Sequence, residues 1–351
     1  MPESEAIRLT GAPGSPYTRK MLALMRYRQI SYRLMISGSA ESEAMPKAKV
    51  GLLPTFYFAD DSGELDAVVD STPIIRTLED RYMGRSVIPA DPALAFIDYL
   101  VEDYGDEWLT KAMFHYRWYY AADIERAGEI LPRWRNLTAS DAEIEPMAKF
   151  VRDRQIGRLF VVGSNDTTAP VIEDSYKRFL TLFAEHIQNG PFVLGARPAA
   201  SDFALFGQLT ALTGFDPTPM ALAYQHAPAV CAWVGTMEDL SGLDASARGW
   251  FARDELPSTL TALLAEIGRV YVPALLANAQ AVDSGADEVR TEIDGRPWTQ
   301  QPFPYQAKCL QWIRQEFARL DPEDREFVEG VLEGTGCEVL VRKPGLELVA
   351  G

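Results

Sequence analysis

The chain has 351 residues, too long for one ordinary compact domain, so two or three domains are expected, each burying its own core. An apolar content of 47% and a charged content of 24% are those of a soluble globular protein, and a net charge of −16 repels polyanions, which argues against nucleic acid as a partner. No uncharged apolar run reaches the roughly 18 to 20 residues that span a bilayer, since Val270 to Val282 is interrupted by Pro273 and Asn278, and no membrane association is expected.

Met1 to Arg8 is acidic and leads into no signal-like apolar block, so it reads as a short disordered leader on a cytoplasmic protein. The three cysteines, Cys231, Cys309 and Cys337, are far apart and odd in number. They fit neither a disulfide framework nor a zinc site and read as buried free thiols. His115, His186 and His226 add no metal-ligand spacing, so no metal is expected.

In chain order, Ile7 to Thr10 reads as a strand and is followed by a helix with Tyr17, Met21, Leu24 and Arg28 on one side. Tyr32 to Ile36 suits a second strand. A polar stretch, Ser37 to Lys49, precedes strands at Thr55 to Phe58 and about Ala67 to Val69, separated by a turn at Asp60-Asp61-Ser62-Gly63. Ile75, Leu78 and Tyr82 then stripe a helix. This βαβ, connection, ββα order predicts an α/β layer with a mixed sheet over residues 1–85.

After a linker over Gly84 to Pro92 the pattern turns helical, and residues 92–240 read as an all-α domain. Its helices are expected at Ala93 to Ala122, Ser140 to Phe160, Pro170 to Gln188, Ala200 to Leu212 and Ala229 to Leu240. Residues 241–351 read as a mostly helical extension with a β-hairpin. A helix at Ser258 to Ala279 precedes Val289 to Ile293 and Arg296 to Thr299, which flank the hairpin signal Asp294-Gly295. Pro297 confines the second strand to a sheet edge. Helices follow at Tyr305 to Leu320 and, capped by Asp321-Pro322, up to Glu333.

The segment richest in chemical signal is Thr10-Gly11-Ala12-Pro13-Gly14-Ser15-Pro16-Tyr17, a strand entering a Gly/Pro loop and then a helix. Ser15 is an N-cap residue and Pro16 suits the first helical position. A helix start offers free N–H groups and partial positive charge, so a thiolate placed there is stabilised. Capping alone also accounts for Ser15. Two further features share the layout: Leu53-Pro54-Thr55 puts a proline before a strand, compatible with a cis bond that aims Leu53 at a ligand, and Asp70-Ser71 opens a second helix N-terminus.

These elements resemble the serine-type members of the glutathione transferase family, as Ser15-Pro16-Tyr17, Leu53-Pro54 and Asp70-Ser71 in the family's order. Pro191-Phe192-Val193-Leu194-Gly195, Ser201-Asp202-Phe203-Ala204 and Pro228 with Trp233 are similar to its helical half, so the resemblance reaches about residue 240. It implies a thioredoxin-like glutathione-binding domain, an all-helical domain behind it and, in this chain, an additional C-terminal extension. It further implies that Ser15 donates a hydrogen bond to the glutathione sulfur, that Leu53 and Pro54 meet the cysteinyl backbone, that Asp70 and Ser71 hold the γ-glutamyl end, and that Lys49 meets the glycyl carboxylate. Glutathione would be the co-substrate, an apolar electrophile the acceptor, detoxification the role, and a homodimer the assembly. For the acceptor, Trp108, Phe114 and Trp118 are the candidate side chains, although aromatics at helical spacing also build cores. His115 reads as a hydrogen-bonding residue rather than a base.

Free thiols titrate near 8.5, and each pH unit by which a bound thiol falls below that is about 1.4 kcal/mol of thiolate stabilisation. The sequence departs from the family in two places. Asp70 is one methylene shorter than the usual glutamate, and Ala199 stands where a capping Ser or Thr is expected three residues before Asp202, which reads as structural. Three functions are compatible with this pattern: a glutathione-dependent transferase, a non-catalytic ligand-binding or scaffolding relative, and a thiol-disulfide oxidoreductase. The last is weakest, because Ser15 and Thr18 occupy the two positions where that chemistry needs cysteines.

Overall fold

The computed structural model describes residues 6–60, 62–246 and 249–342. Residues 1–5 of the expected leader and Asp61 of the expected turn lie outside them; Ile7 and Arg8 already belong to the first strand.

The first layer contains β1 (Ile7–Gly11), α1 (Pro16–Tyr27), β2 (Tyr32–Ile36), the single turn α2 (Ala40–Glu43), β3 (Thr55–Ala59), β4 (Leu65–Val68) and α3 (Ser71–Arg81). The sheet order is β2-β1-β3-β4, with β1 parallel to β2 and antiparallel to β3, and β4 antiparallel to β3. This is the mixed sheet that the element order predicts, and it is thioredoxin-like, as the resemblance implies. Leu9, Met21, Leu24, Phe56 and Ile75 are buried between sheet and helices.

The helical part contains α4 (Pro92–Tyr104), a π-helical turn (Gly105–Leu109), α5 (Thr110–Tyr119), α6 (Ala121–Arg133), α7 (Asp141–Ile156), α8 (Ala169–His186), α9 (Ala200–Gly214), α10 (Pro217–His226) and α11 (Pro228–Met237). Two of these, α6 and α10, were not expected. Pro132 lies in the last turn of α6, and α10 opens on Pro217-Thr218-Pro219, where prolines are harmless because first-turn N–H groups have no intrahelical partner anyway.

The extension follows as α12 (Ser258–Ser284), β5 (Val289–Ile293), β6 (Arg296–Gln300), α13 (Pro304–Arg319), α14 (Pro322–Leu332) and the short α15 (Glu338–Val341). Asp294 and Gly295 both have positive φ, 54° and 69°, as a two-residue hairpin turn requires. By length and composition α12 is apolar enough to cross a membrane, contrary to the expectation from uncharged runs. Leu260, Leu264, Ile267, Tyr271 and Leu275 of this helix are nevertheless buried within the chain, where α12 packs on α8, α13 and β5.

Among the described residues, most of the buried apolar side chains, from Ile7 and Leu9 through Phe203 to Trp298 and Leu340, make one contiguous cluster that takes in side chains of all three segments. Two cysteines, Cys309 and Cys337, are buried free thiols, and Cys231 is half-buried.

A close seam joins α1 to α9. A Cβ on Gly207 would lie 2.6 Å from the carbonyl oxygen of Pro16 and 3.1 Å from Cβ of Lys20, so glycine is what allows this approach. Because the nearest atom is backbone, Gly207→Ala is expected to force α9 off α1 and to destabilise the protein by about 1–3 kcal/mol. Denaturant unfolding checks this, and an unchanged midpoint contradicts it.

Burial also sets a pH dependence. It pushes the Asp98 and Asp103 carboxyls up to about 7 and that of Asp202 up to about 8. Acids raised in the folded state contribute stability that is full below their unfolded value near 4 and is lost as pH rises through the folded value. The thermal midpoint is therefore expected to fall between pH 6 and about 8; a rise across that window would refute the assignment.

Candidate active site

Ser15 caps α1 with its own side chain: its Oγ accepts from the Thr18 N–H at 3.3 Å, and Pro16 takes the first helical position. The same hydroxyl donates to the Leu53 carbonyl at 3.5 Å. That length is well beyond an ordinary O–H···O bond, so the proton is weakly held and open to a better acceptor. The Leu53-Pro54 peptide bond is cis. Ser15 and Leu53 are both half-buried, at the lip of the sheet layer.

Across the site Asp70 caps α3, its Oδ1 accepting from the Thr72 N–H at 3.3 Å, with φ at 83°. Few non-glycine residues tolerate that angle, and aspartate is among those that do. The Ser71 hydroxyl does not face outward alone: it accepts from Nζ of Lys20 at 3.0 Å. Lys20 is fully buried on α1 and also donates to Glu102 Oε1 at 2.9 Å and Asp106 Oδ2 at 2.6 Å. Thr72 Oγ1 and Arg76 Nη1 complete the cluster on Glu102, at 3.1 and 2.7 Å.

Opposing forces set the charges here. Burial acts to push the Glu102 carboxyl up, but Arg76 and Lys20 together hold it down at about 2. For Asp106 burial wins over Lys20, and its carboxyl is pushed up to about 6. Burial would lower the Lys20 pKa, yet Asp106 and Glu102 raise it above its ordinary value, so the ammonium is charged. One oxygen of Asp106, Oδ1, is buried with no hydrogen-bond partner among the described residues.

Tyr17, two residues beyond Ser15, points its hydroxyl at the Asp106 carbonyl (2.7 Å) and Thr110 Oγ1 (3.3 Å). Burial and the nearby Glu107 and Asp106 raise its pKa well above the ordinary value. Its hydroxyl is therefore protonated and already committed to these two partners.

The remaining predicted residues separate. Lys49 is exposed in the loop before Leu53 and makes no ion pair among the described residues, while Lys47 pairs with Glu43 at 2.8 Å. Trp108 is buried, donates to Ser175 Oγ at 3.1 Å and packs on Trp298 with ring centroids 5.4 Å apart. Trp118 is buried as well. Their expected place in an acceptor wall is corrected by that burial, since a ring with no open face cannot meet a ligand. Phe114, 6.3 Å from Trp118, is half-buried and keeps some surface.

Two side chains that sequence reasoning did not single out flank the Ser15 loop instead. A Cβ on Gly14 would lie 2.4 Å from the Trp134 ring and 2.5 Å from Leu131. The signal was present in Gly14 itself, a glycine beside the N-cap, but its neighbours come from α6, which the sequence pattern did not reveal. Arg117 holds this loop by donating to the Gly14 carbonyl at 3.1 Å while paired with the buried Asp216 at 2.9 Å.

His115 is bonded at both ring nitrogens, to Ser164 Oγ at 2.8 Å and Glu173 Oε1 at 3.3 Å, as expected of a structural residue. Asp202 is structural too: it accepts from the N–H groups of Ala199 (2.8 Å) and Val193 (2.9 Å), the half of a capping box that needs no serine. Among the described residues no group of three or more His, Cys, Asp or Glu side chains is arranged to hold a metal ion.

Residues 9–86 match the family model of the glutathione S-transferase N-terminal domain. No curated protein sequence matches the chain significantly. Among solved structures, it is similar to a glutathione transferase from Pseudomonas putida with one glutathione disulfide bound per subunit, at 12% identity over 68% of this chain and 87% of that one, TM-score 0.40. A glutathione transferase from Burkholderia graminis, with two glutathione molecules bound per subunit, is 16% identical over 71% of this chain and 92% of its own, TM-score 0.42. A maleylacetoacetate isomerase from Anaeromyxobacter dehalogenans is 16% identical over 69% and 95%, TM-score 0.39.

Removing the buried cation tests how the site is held. Among the described residues, Lys20→Met leaves Asp106 without its only ion-pair partner and Glu102 with Arg76 alone, and is expected to cost about 3–5 kcal/mol. The deficit should be larger at pH 8 than at pH 5, because protonated carboxyls need no counter-ion. Equal losses by denaturant unfolding at both pH values would contradict this electrostatic role.

Proposed function

We propose, on the premise that residues 9–86 belong to the glutathione S-transferase N-terminal domain family, that the chain binds glutathione and stabilises its thiolate at Ser15 for attack on an apolar electrophile. The observation that carries this reading is the Ser15 hydroxyl, an N-cap whose proton rests on the Leu53 carbonyl at only 3.5 Å. A thiolate at the start of α1 is a stronger acceptor than that carbonyl and takes the hydrogen bond, while the helix dipole favours its charge. When the tripeptide backbone pairs with Leu53, the carbonyl exchanges its weak partner for an amide N–H. Asp70 and Ser71, at the start of α3, then receive the γ-glutamyl end. The exposed Lys49 is left for the glycyl carboxylate as a solvent-screened contact of small worth.

In the reaction the sulfur lone pair forms the new S–C bond as the electrophile's leaving group departs with its electron pair or, in an addition, as the π electrons move onto the acceptor. No covalent bond to the protein forms. Phe114 is the aromatic of the proposed acceptor wall that retains surface, and Leu131 and Trp134 border the Ser15 loop at Gly14. Homodimer formation is carried by family resemblance, and light scattering measures it.

A second reading, a non-catalytic relative that binds glutathione, is favoured by the crowding of Trp134 and Leu131 around Gly14, which restricts access to the sulfur position. Calorimetric titration with millimolar glutathione tests binding, common to both readings. Turnover of a chloronitroarene then separates them. In Ser15→Ala the pKa of the bound thiol, read from its ultraviolet thiolate absorbance, is expected to rise by about 1 pH unit or more with a parallel loss of rate. An unchanged thiolate titration would remove Ser15 from the mechanism.

A further inference from the structure

The extension reaches the site. The Tyr305 phenol, at the start of α13, donates to Asp70 Oδ2 at 2.8 Å, a contact between residues 235 positions apart. Tyr305 is half-buried and held from both sides, its ring 6.1 Å from that of Phe303 and edge-on to Trp312 at 5.7 Å. Phe303 is itself clamped by Asn278 of α12, which donates to its carbonyl at 2.9 Å and accepts from its N–H at 2.7 Å. On the other side Gln306 donates to the Glu107 carboxylate at 3.1 Å in the π-helical turn. Five contacts thus fix where the phenol stands.

The Asp70 carboxylate consequently has one oxygen on the Thr72 N–H and the other on Tyr305, which locks its rotamer although the side chain is only half-buried. A carboxylate offers about four lone-pair sites, so two remain for a ligand. The phenol oxygen adds an acceptor lone pair at the same spot. Of the charges around it, Lys20 and Arg76 are matched by Glu102 and Asp106, and burial raises the Glu107 carboxyl well above its ordinary range, which leaves Asp70 as the carboxylate without an ion-pair partner among the described residues. That arrangement suits an ammonium.

Resting on the glutathione reading above, we propose that Tyr305 is a positioning residue for the γ-glutamyl end of the tripeptide: it orients Asp70 and, with it, receives the ligand's α-ammonium group. The extension is then a wall of the ligand site, supplied by the same chain. Selectivity follows from the chemistry, since a tripeptide lacking the α-amine has nothing to give to Asp70 and Tyr305.

The test is calorimetric titration of the full-length protein and of Tyr305→Phe with glutathione and with glutaryl-cysteinyl-glycine, the same tripeptide without the amine. Tyr305→Phe is expected to weaken glutathione about fivefold or more and the deaminated tripeptide by less than about twofold. In an Asp70→Asn background the same change should weaken glutathione less than it does in the unmodified protein, since Tyr305 acts in part through that carboxylate. Equal losses for both ligands, or none, would overturn the role of Tyr305 while leaving glutathione binding intact. Failure of the unmodified protein to bind either ligand would remove the glutathione reading and this inference with it. A melting temperature for each variant identifies any that fails to fold, and for such a variant Tyr305→Trp, which keeps an aromatic ring without the hydroxyl, is read in its place.

Discussion

One buried ammonium group fixes the geometry on which the site depends. Lys20 leaves α1 one turn after Ser15 and ends on Ser71, the first residue of α3, while its other two bonds run to Glu102 and Asp106 of the helical part. Three elements that start in different parts of the sequence are therefore tied to a single charge. An isolated ammonium could not be buried here, because its lost hydration would be uncompensated; two carboxylates and a hydroxyl offset that loss. The relative placement of the two helix starts, one carrying Ser15 and the other Asp70, follows from this cluster and from the close α1–α9 seam at Gly207.

The π-helical turn Gly105–Leu109 extends the same constraint to the extension. Its widened backbone presents Asp106 to Lys20 and Tyr17 on one side and Glu107 to Gln306 on the other. Such turns interrupt otherwise regular helices and recur where function demands an unusual side-chain arrangement. Here Trp108 of the same turn is pinned between Ser175 and the hairpin residue Trp298, which anchors the hairpin in the shared core. The extension is thus packed from the core outward to the rim of the site, and a shift of α13 would be felt at Asp70 through Tyr305.

Local chemistry was legible in the sequence and long-range chemistry was not. The mixed sheet follows from the order of the elements, and the cap at Ser15, the helix start at Asp70-Ser71, the proline before β3 and the Asp294-Gly295 turn follow from a few adjacent residues; the structure contains each of them. Helices α6 and α10 carry Gly128, Pro132, Pro217 and Pro219, residue types that disfavour a helix interior, although three of the four sit in terminal turns. Trp108 and Trp118 fitted a ligand wall and a core equally well by spacing, and only burial decides between them. Nothing adjacent in the sequence marks Lys20 as buried, since its partners lie 51, 82 and 86 residues away. No periodicity reports a contact of that kind, nor one between Tyr305 and Asp70.

The most direct measurement is a crystal structure of the full chain grown with glutathione. The sulfur should lie within about 3.5 Å of Ser15 Oγ, with Leu53 paired to the cysteinyl backbone and the γ-glutamyl end between Asp70 and the start of α3. A sulfur turned away from Ser15, with the serine proton still on the Leu53 carbonyl, would contradict the central role given to this helix start.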